Sequence, residues 1–160
     1  MSRDEVIAAA ARGDDLSGQD FSGMDLSNTK LSKANLEGVD FSDADLSRCW
    51  LDEVNLKGAL FTNADLSFAV MGGANVEYAD FTGANLRQAN LVGTQAFGAT
   101  FDNADLYYAR PGNANLESAS FRGANIQRCI FRRANLSAAN LQETEGVANF
   151  ENANLEGAIQ

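Results

Sequence analysis

Residues 61–91 read FTNADLSFAVMGGANVEYADFTGANLRQANL, and a period of five orders them. Phe61, Leu66, Met71, Val76, Phe81, Leu86 and Leu91 place a large apolar side chain at every fifth position. Two residues before each later centre sits an alanine, from Ala64 through Ala89, and the residue between is Asp or Asn in most quintets. Neither the 3.6-residue period of a helix nor the period 2 of a long strand puts such centres on one face. The chain must therefore turn once per quintet. Alternation along each short side then points the centre, and the small residue two before it, inward.

The register extends both ways from this stretch. Backward it runs through Leu16, Phe21, Leu26, Leu31, Leu36, Phe41, Leu46, Leu51 and Leu56. Forward it lapses at Ala96, resumes at Phe101 and Leu106, admits Pro111, and continues from Leu116 to Leu141. A second period lies on top of the first, because Phe21, Phe41, Phe61, Phe81, Phe101 and Phe121 recur every 20 residues. Stacking them requires four quintets per coil, with coils ~4.8 Å apart. Leu16 to Leu155 then makes about seven coils and a tower ~34 Å long, each coil touching only its neighbours.

The quintets Ala34-Asn35-Leu36, Ala44-Asp45-Leu46, Ala64-Asp65-Leu66, Ala84-Asn85-Leu86 and Ala104-Asp105-Leu106 resemble the pentapeptide-repeat family, whose consensus is A(D/N)LXX. The resemblance covers roughly residues 14 to 158. It implies an all-β fold, a right-handed quadrilateral β-helix, with residues 1–13 as a capping helix and 14–160 as a single β-helical domain. It implies no one function, since one scaffold hosts unrelated activities.

Both ends depart from the repeat. Ser2-Arg3-Asp4-Glu5 reads as a capping box, and Gly13 as the stop of a short α-helix covering the first coil. The step from Leu141 to Phe150 is nine residues where ten would keep phase, so Thr144-Glu145-Gly146-Val147 is expected to form a bulge or tight loop. Residues 156–160 are too short to cap a final coil, and an open edge invites pairing. Phe150 and Leu155 are the residues a homodimer contact would bury, and gyrase-binding relatives are similar in dimerising this way. The alternative is an exposed end kept monomeric by charge.

Composition narrows the function classes. The 160 residues, 45% hydrophobic, suffice for one domain with a real core. Twenty-two acidic against 12 basic side chains, a net charge of −10, disfavour direct binding to nucleic acid or anionic membranes. The longest N-terminal apolar run, Val6 to Ala11, follows Asp4 and Glu5 and is no secretory signal, and no stretch approaches the ~20 apolar residues of a membrane span. The expected address is cytoplasmic. Cys49 and Cys129 lie at the small inward position, 80 residues apart, and are expected to be reduced and structural. The chain has no histidine, which removes Ser-His and Cys-His nucleophiles and the commonest transition-metal ligand. No enzymatic constellation remains, no cofactor is expected, and a flat aspartate ladder offers no cage for calcium or magnesium.

Two outward features carry the functional expectation. Asp20, Asp40 and Asp80 follow one column and Asp25, Asp45, Asp65 and Asp105 the next; residues 1–80 hold 15 acids and six bases, residues 81–160 seven and six. The resemblance implies one use for such columns, imitation of a nucleic-acid backbone to modulate DNA gyrase. The uninterrupted register, however, leaves no room for the long loops of the quinolone-resistance subgroup. A solvated polar face explains the same acids. At another corner Arg48 with Trp50, Phe68 with Val70, Tyr108 with Arg110, and Arg128 with Ile130 replace acids, interrupted by Gln88 with Asn90. Such a ridge suits a non-enzymatic scaffold for an unidentified protein partner, and scattered exposed apolars are the alternative. At Thr94-Gln95-Ala96-Phe97 an inward rotation of the aromatic through a bulge is one reading, and Pro111 removes a ladder donor; either would mark a binding feature, and the favoured reading of both is a tolerated lapse in a long repeat.

Overall fold

Backbone hydrogen bonding explains why so short a repeat can stand. In a computed structural model that describes residues 1–32 and 34–160, Phe61 N–H donates to the Asp80 carbonyl (2.7 Å) and Asn63 N–H to that of Thr82 (3.0 Å), both in the next coil. Ala64 N–H closes a turn onto the Phe61 carbonyl (3.0 Å), and Asp65 N–H reaches back to Ala44 (2.9 Å). Four of the quintet's five donors are thereby paired. The fifth belongs to the residue after the centre. Where Asp or Asn precedes the centre, its side-chain Oδ1 accepts that N–H, as Asp40 does from Ser42 (2.8 Å) and Asp65 from Ser67 (2.8 Å). The repeat thus asks for a side-chain carbonyl oxygen at this position, with or without charge.

Among the described residues each turn places its third residue at positive φ, for instance Asn63 at 58°, Phe68 at 59° and Gly73 at 66°, the type II arrangement. Turn follows turn so closely that strand pairing is reduced to isolated parallel bridges. These join residues 20 apart from Asp15 and Asn35 to Asn125 and Glu145, so four corners complete a coil. From Leu16 to Leu141 the centres point inward and are buried, as are the alanines two before them. Phe21 to Phe121 form one column with centroids 4.6 to 5.8 Å apart, and the rings from Phe61 to Phe121 lie within 6° of parallel to their neighbours.

Helix α1 (Arg3–Arg12) covers the first coil. Ser2 Oγ accepts the Glu5 N–H (3.3 Å), Glu5 Oε2 accepts the Ser2 N–H (2.7 Å), and Gly13 at φ 77° ends the helix. Val6, Ala9 and Ala10 are buried, and Arg3 donates to the Ser27 carbonyl (2.7 Å).

Three local irregularities have distinct outcomes. Pro111 has no N–H, so of the two bonds that would pair Arg110 with Ile130 only the Ile130 N–H to Ala109 bond (3.0 Å) forms, while the Asn113 N–H to Arg132 bond (3.0 Å) continues the ladder. Phe97 stays outward, so the inward rotation does not occur. The Asn75–Gln95–Asn115 ladder is unbroken, Ala96 fills the centre, and the Phe97 ring lies edge-on to Tyr78 (5.5 Å, 84°). Turning it inward would break the Tyr78 N–H to Phe97 bond (3.0 Å) and its neighbours. Beyond Glu145 the register becomes 19, with bridges from Ile130 to Asn149 and Asn135 to Asn154. Residues 145–149 form a tight loop one residue short, not a bulge, with Gly146 at φ 93°.

Candidate functional site

A 20-residue register converts sequence spacing into columns with ~4.8 Å between successive side chains. Trp50, Val70, Asn90 and Arg110 are joined by successive bridges, and beside them run Arg48, Phe68, Gln88, Tyr108 and Arg128. Trp50, Phe68 and Tyr108 are 46%, 44% and 41% exposed, large values for rings that a core could have used. Val70 and Ile130 are half-buried at the flank. The Arg48 guanidinium lies 5.1 Å from the Phe68 ring centroid, and that of Arg128 lies 5.2 Å from the Tyr108 ring. Arg128 Nη1 also donates to the Tyr108 hydroxyl (2.8 Å). The predicted ridge residues are therefore brought together.

Its interruption has a shape the sequence did not convey. Gln88 and Asn90 floor a shallow groove of about 400 Å³, walled by Phe68 and Val70 on one side and Tyr108 and Arg110 on the other. The ridge is thus two aromatic shoulders around an amide-lined dip. The shoulders stand at backbone angles few bulky residues adopt, with φ 59° at Phe68 and 58° at Tyr108. A left-handed residue with a Cβ costs about 1–2 kcal/mol, and the recurrent glycines at the same turn position, such as Gly18, Gly23, Gly38 and Gly58, show the unstrained choice.

The acidic columns are built differently. All seven aspartates turn Oδ1 toward their own corner, accepting the N–H two residues on at 2.8 to 3.0 Å. Leu60 interrupts the Asp20–Asp40–Asp80 column and Asn85 the Asp25–Asp45–Asp65–Asp105 column. Asp105 is paired with Arg87 at 2.8 Å. Asp25, Asp45 and Asp65 remain as three successive carboxylates. Among the described residues, no group of three acid or thiol side chains is placed to hold a metal ion.

Pentapeptide repeats, in eight copies, match residues 15–48, 40–77, 79–110 and 114–145. The chain belongs to the pentapeptide-repeat family. It is similar to HetL, a pentapeptide repeat protein involved in heterocyst differentiation regulation from the cyanobacterium Nostoc sp. strain PCC 7120, at 22% identity over 99% of this chain and 96% of that one, with a TM-score of 0.44. A trypsin-treated form of QnrB1, a plasmid-mediated fluoroquinolone resistance protein, is similar at 22% identity over 92% and 82%, with a TM-score of 0.51. Rfr23, a pentapeptide repeat protein from the cyanobacterium Cyanothece 51142, is 18% identical over 99% and 95%, with a TM-score of 0.39. These likenesses are of fold. Among curated proteins nothing matches.

Within this pentapeptide-repeat rod the thiols serve packing. Cys49 Sγ donates to the Leu26 carbonyl (2.8 Å) beside Thr29, and burial pushes both Cys49 and Cys129 above the ordinary thiol range. At the C-terminal coil Phe150 stacks on Phe131 (5.1 Å, 3°) and stays half-buried with Leu155. Among the described residues, the N–H groups of Phe150, Asn152, Leu155 and Gly157 have no backbone acceptor. A hollow of about 410 Å³ opens there beside Phe150, Leu141 and Ile126.

Proposed function

We propose that this protein is a non-enzymatic interaction scaffold, a right-handed rod of about seven coils whose ridge from Trp50 to Ile130 docks a partner protein. The groove between Phe68 and Tyr108 carries the reading. Its two aromatic shoulders are held exposed at left-handed backbone angles, where asparagine or glycine would be less strained. Two large rings left 44% and 41% exposed on either side of one groove fit a contact surface better than a passive one. In a pull-down with mass spectrometry, Phe68→Asn and Tyr108→Asn are expected to abolish capture of partners held by the unsubstituted chain. Their unfolding midpoints should be unchanged or raised, since asparagine tolerates positive φ. Capture that survives both substitutions would refute the reading.

A second reading, a DNA-mimicking modulator of DNA gyrase, draws on one observation. The Asn35–Asn55–Asn75 column, on the opposite corner of the coil, fills the same turn role without charge, so stacked Asp25, Asp45 and Asp65 carry more charge than the fold requires. Like charges stacked on adjacent strands cost about 0.2–1 kcal/mol per pair. Asp45→Asn with Asp65→Asn keeps both turn acceptors while removing the charges. If the reading holds, inhibition of gyrase supercoiling seen with the unsubstituted chain disappears in that variant; no inhibition by either protein sinks it. A homodimer through Phe150, Leu155 and the unpaired amides of the last coil is part of the proposal, and a monomeric mass in sedimentation would remove it.

A further inference from the structure

The charge around the groove is segregated. Lys30, Arg48, Arg87, Arg110 and Arg128 fall in three adjacent outward columns that contain no carboxylate between residues 27 and 130, in a chain whose net charge is −10. Among the described residues only Arg87 of these five has a carboxylate within ion-pair distance. Arg128 is spent on the Tyr108 ring and hydroxyl, and Arg48 on the Phe68 ring, contacts that fix the guanidinium planes without neutralising them. Arg110 forms one wall of the groove.

From this complementarity we infer that the occupant of the groove is an acidic, extended peptide segment of a partner protein. Its carboxylates meet Arg110 and Arg128, and one large apolar side chain sits between Phe68 and Tyr108. The inference rests on the ridge being a protein-docking face. Gln88 and Asn90 on the groove floor offer both donors and acceptors, which suits a peptide backbone. From Phe68 to Arg128 is three coil steps, ~14 Å, the reach of about four extended residues. A nucleic acid fits less well, because a polyanion with one charge per ~1.7 Å would lie against the bordering Asp25, Asp45 and Asp65 column.

The test uses the full chain and a display library of random peptides of about ten residues, with Trp50, the single tryptophan, as fluorescence reporter beside the groove. Enriched sequences are expected to combine Asp or Glu with one large apolar residue. Binding of a synthetic representative should fall at least about tenfold on Arg110→Glu and on Phe68→Asn, less on Arg110→Gln, with melting curves unchanged. Replacing its acids by lysine should abolish binding. Neutral or basic enriched peptides that need Phe68 but not Arg110 would overturn the acidic partner and leave the docking face standing. If no peptide responds to either substitution, both fall. Binding of labelled oligothymidylate that is lost on Arg110→Glu would overturn the inference in favour of a nucleic acid.

Discussion

Asp20 shows how one side chain can serve the fold and the surface at once. Its Oδ1 accepts the Ser22 hydroxyl (2.6 Å) and backbone N–H (2.9 Å), and these two bonds, the hydroxyl first, hold its carboxyl below the ordinary value of 3.8. A depressed folded value adds stability above the unfolded value and loses it as pH falls through the folded one. Asp15 and Asp25 are lowered in the same way, mainly by Ser17 and Ser27. The unfolding midpoint should therefore drop on acidification below the ordinary carboxylate range. Asp20→Asn keeps an acceptor oxygen but cannot titrate, so its midpoint should fall less steeply; parallel curves for the two proteins would contradict the assignment. The recurrence of Asp and Asn before each centre is legible in the sequence. Its reason, the one N–H that neither ladder nor turn can satisfy, is not.

At the scale of elements, the phenylalanine column and the short quintet make opposite demands. Phe81 lies between Phe61 and Phe101 at 4.6 and 4.8 Å with rings 2° from parallel, and is fully buried. Coils stacked by continuous ladders have little freedom to collapse into a void. Phe81→Ala is accordingly expected to cost about 3–5 kcal/mol in denaturant unfolding, and Phe81→Leu considerably less. Gly146 faces the opposite limit. A Cβ there would lie 2.6 Å from Gln127 Cα, and φ is 93°. Gly146→Ala should destabilise by about 1–3 kcal/mol. The damage should be local, seen as faster amide exchange at Arg128, whose N–H donates to the Val147 carbonyl (2.8 Å), and at Val147, whose N–H donates to Gln127 Oε1 (2.8 Å). Gly58→Ala, with open space around its Cβ position, should cost less; equal costs would refute the steric account.

For the whole molecule, coils that contact only adjacent coils make stability a sum of neighbour interfaces. Protection should then vary along the rod. Amide exchange is expected to be slowest in coils between Phe61 and Phe121, which have stacked neighbours on both sides, and fastest from Asn149 to Ile159, where one side is unpaired. Uniform protection along the chain would indicate a single cooperative unit instead. The α1 end should resist better than the last coil, because Val6, Ala9 and Ala10 are buried over it. Charge is also arranged on the molecular scale. Acids gather toward the N-terminal half, while the cations of the ridge share a face whose outward columns hold no carboxylate between residues 27 and 130, Arg87 alone reaching Asp105 of the bordering column.

Periodicity determined the repeat, the inward set and the 20-residue coil, because each depends on which residues recur and at what spacing, and the Ser2–Glu5 capping box with Gly13 determined the helical cap. The columns of the candidate site follow from the same arithmetic, and the ridge residues and acidic aspartates fall where that spacing puts them. Tertiary structure decided what lies between the columns. The dip at Gln88 and Asn90 becomes a groove only because Phe68 and Tyr108 stand up on either side, at turn positions whose positive φ points their rings outward. Phe97 turned outward because the ladder on both sides of Gln95 is worth more than filling the space beside Ala96. The nine-residue step to Phe150 was legible, but the close approach of the Gly146 backbone to Gln127 that the shortened loop requires was not. Such outcomes depend on contacts between residues about 20 positions apart, and a period specifies that neighbours exist without specifying how their side chains share the space.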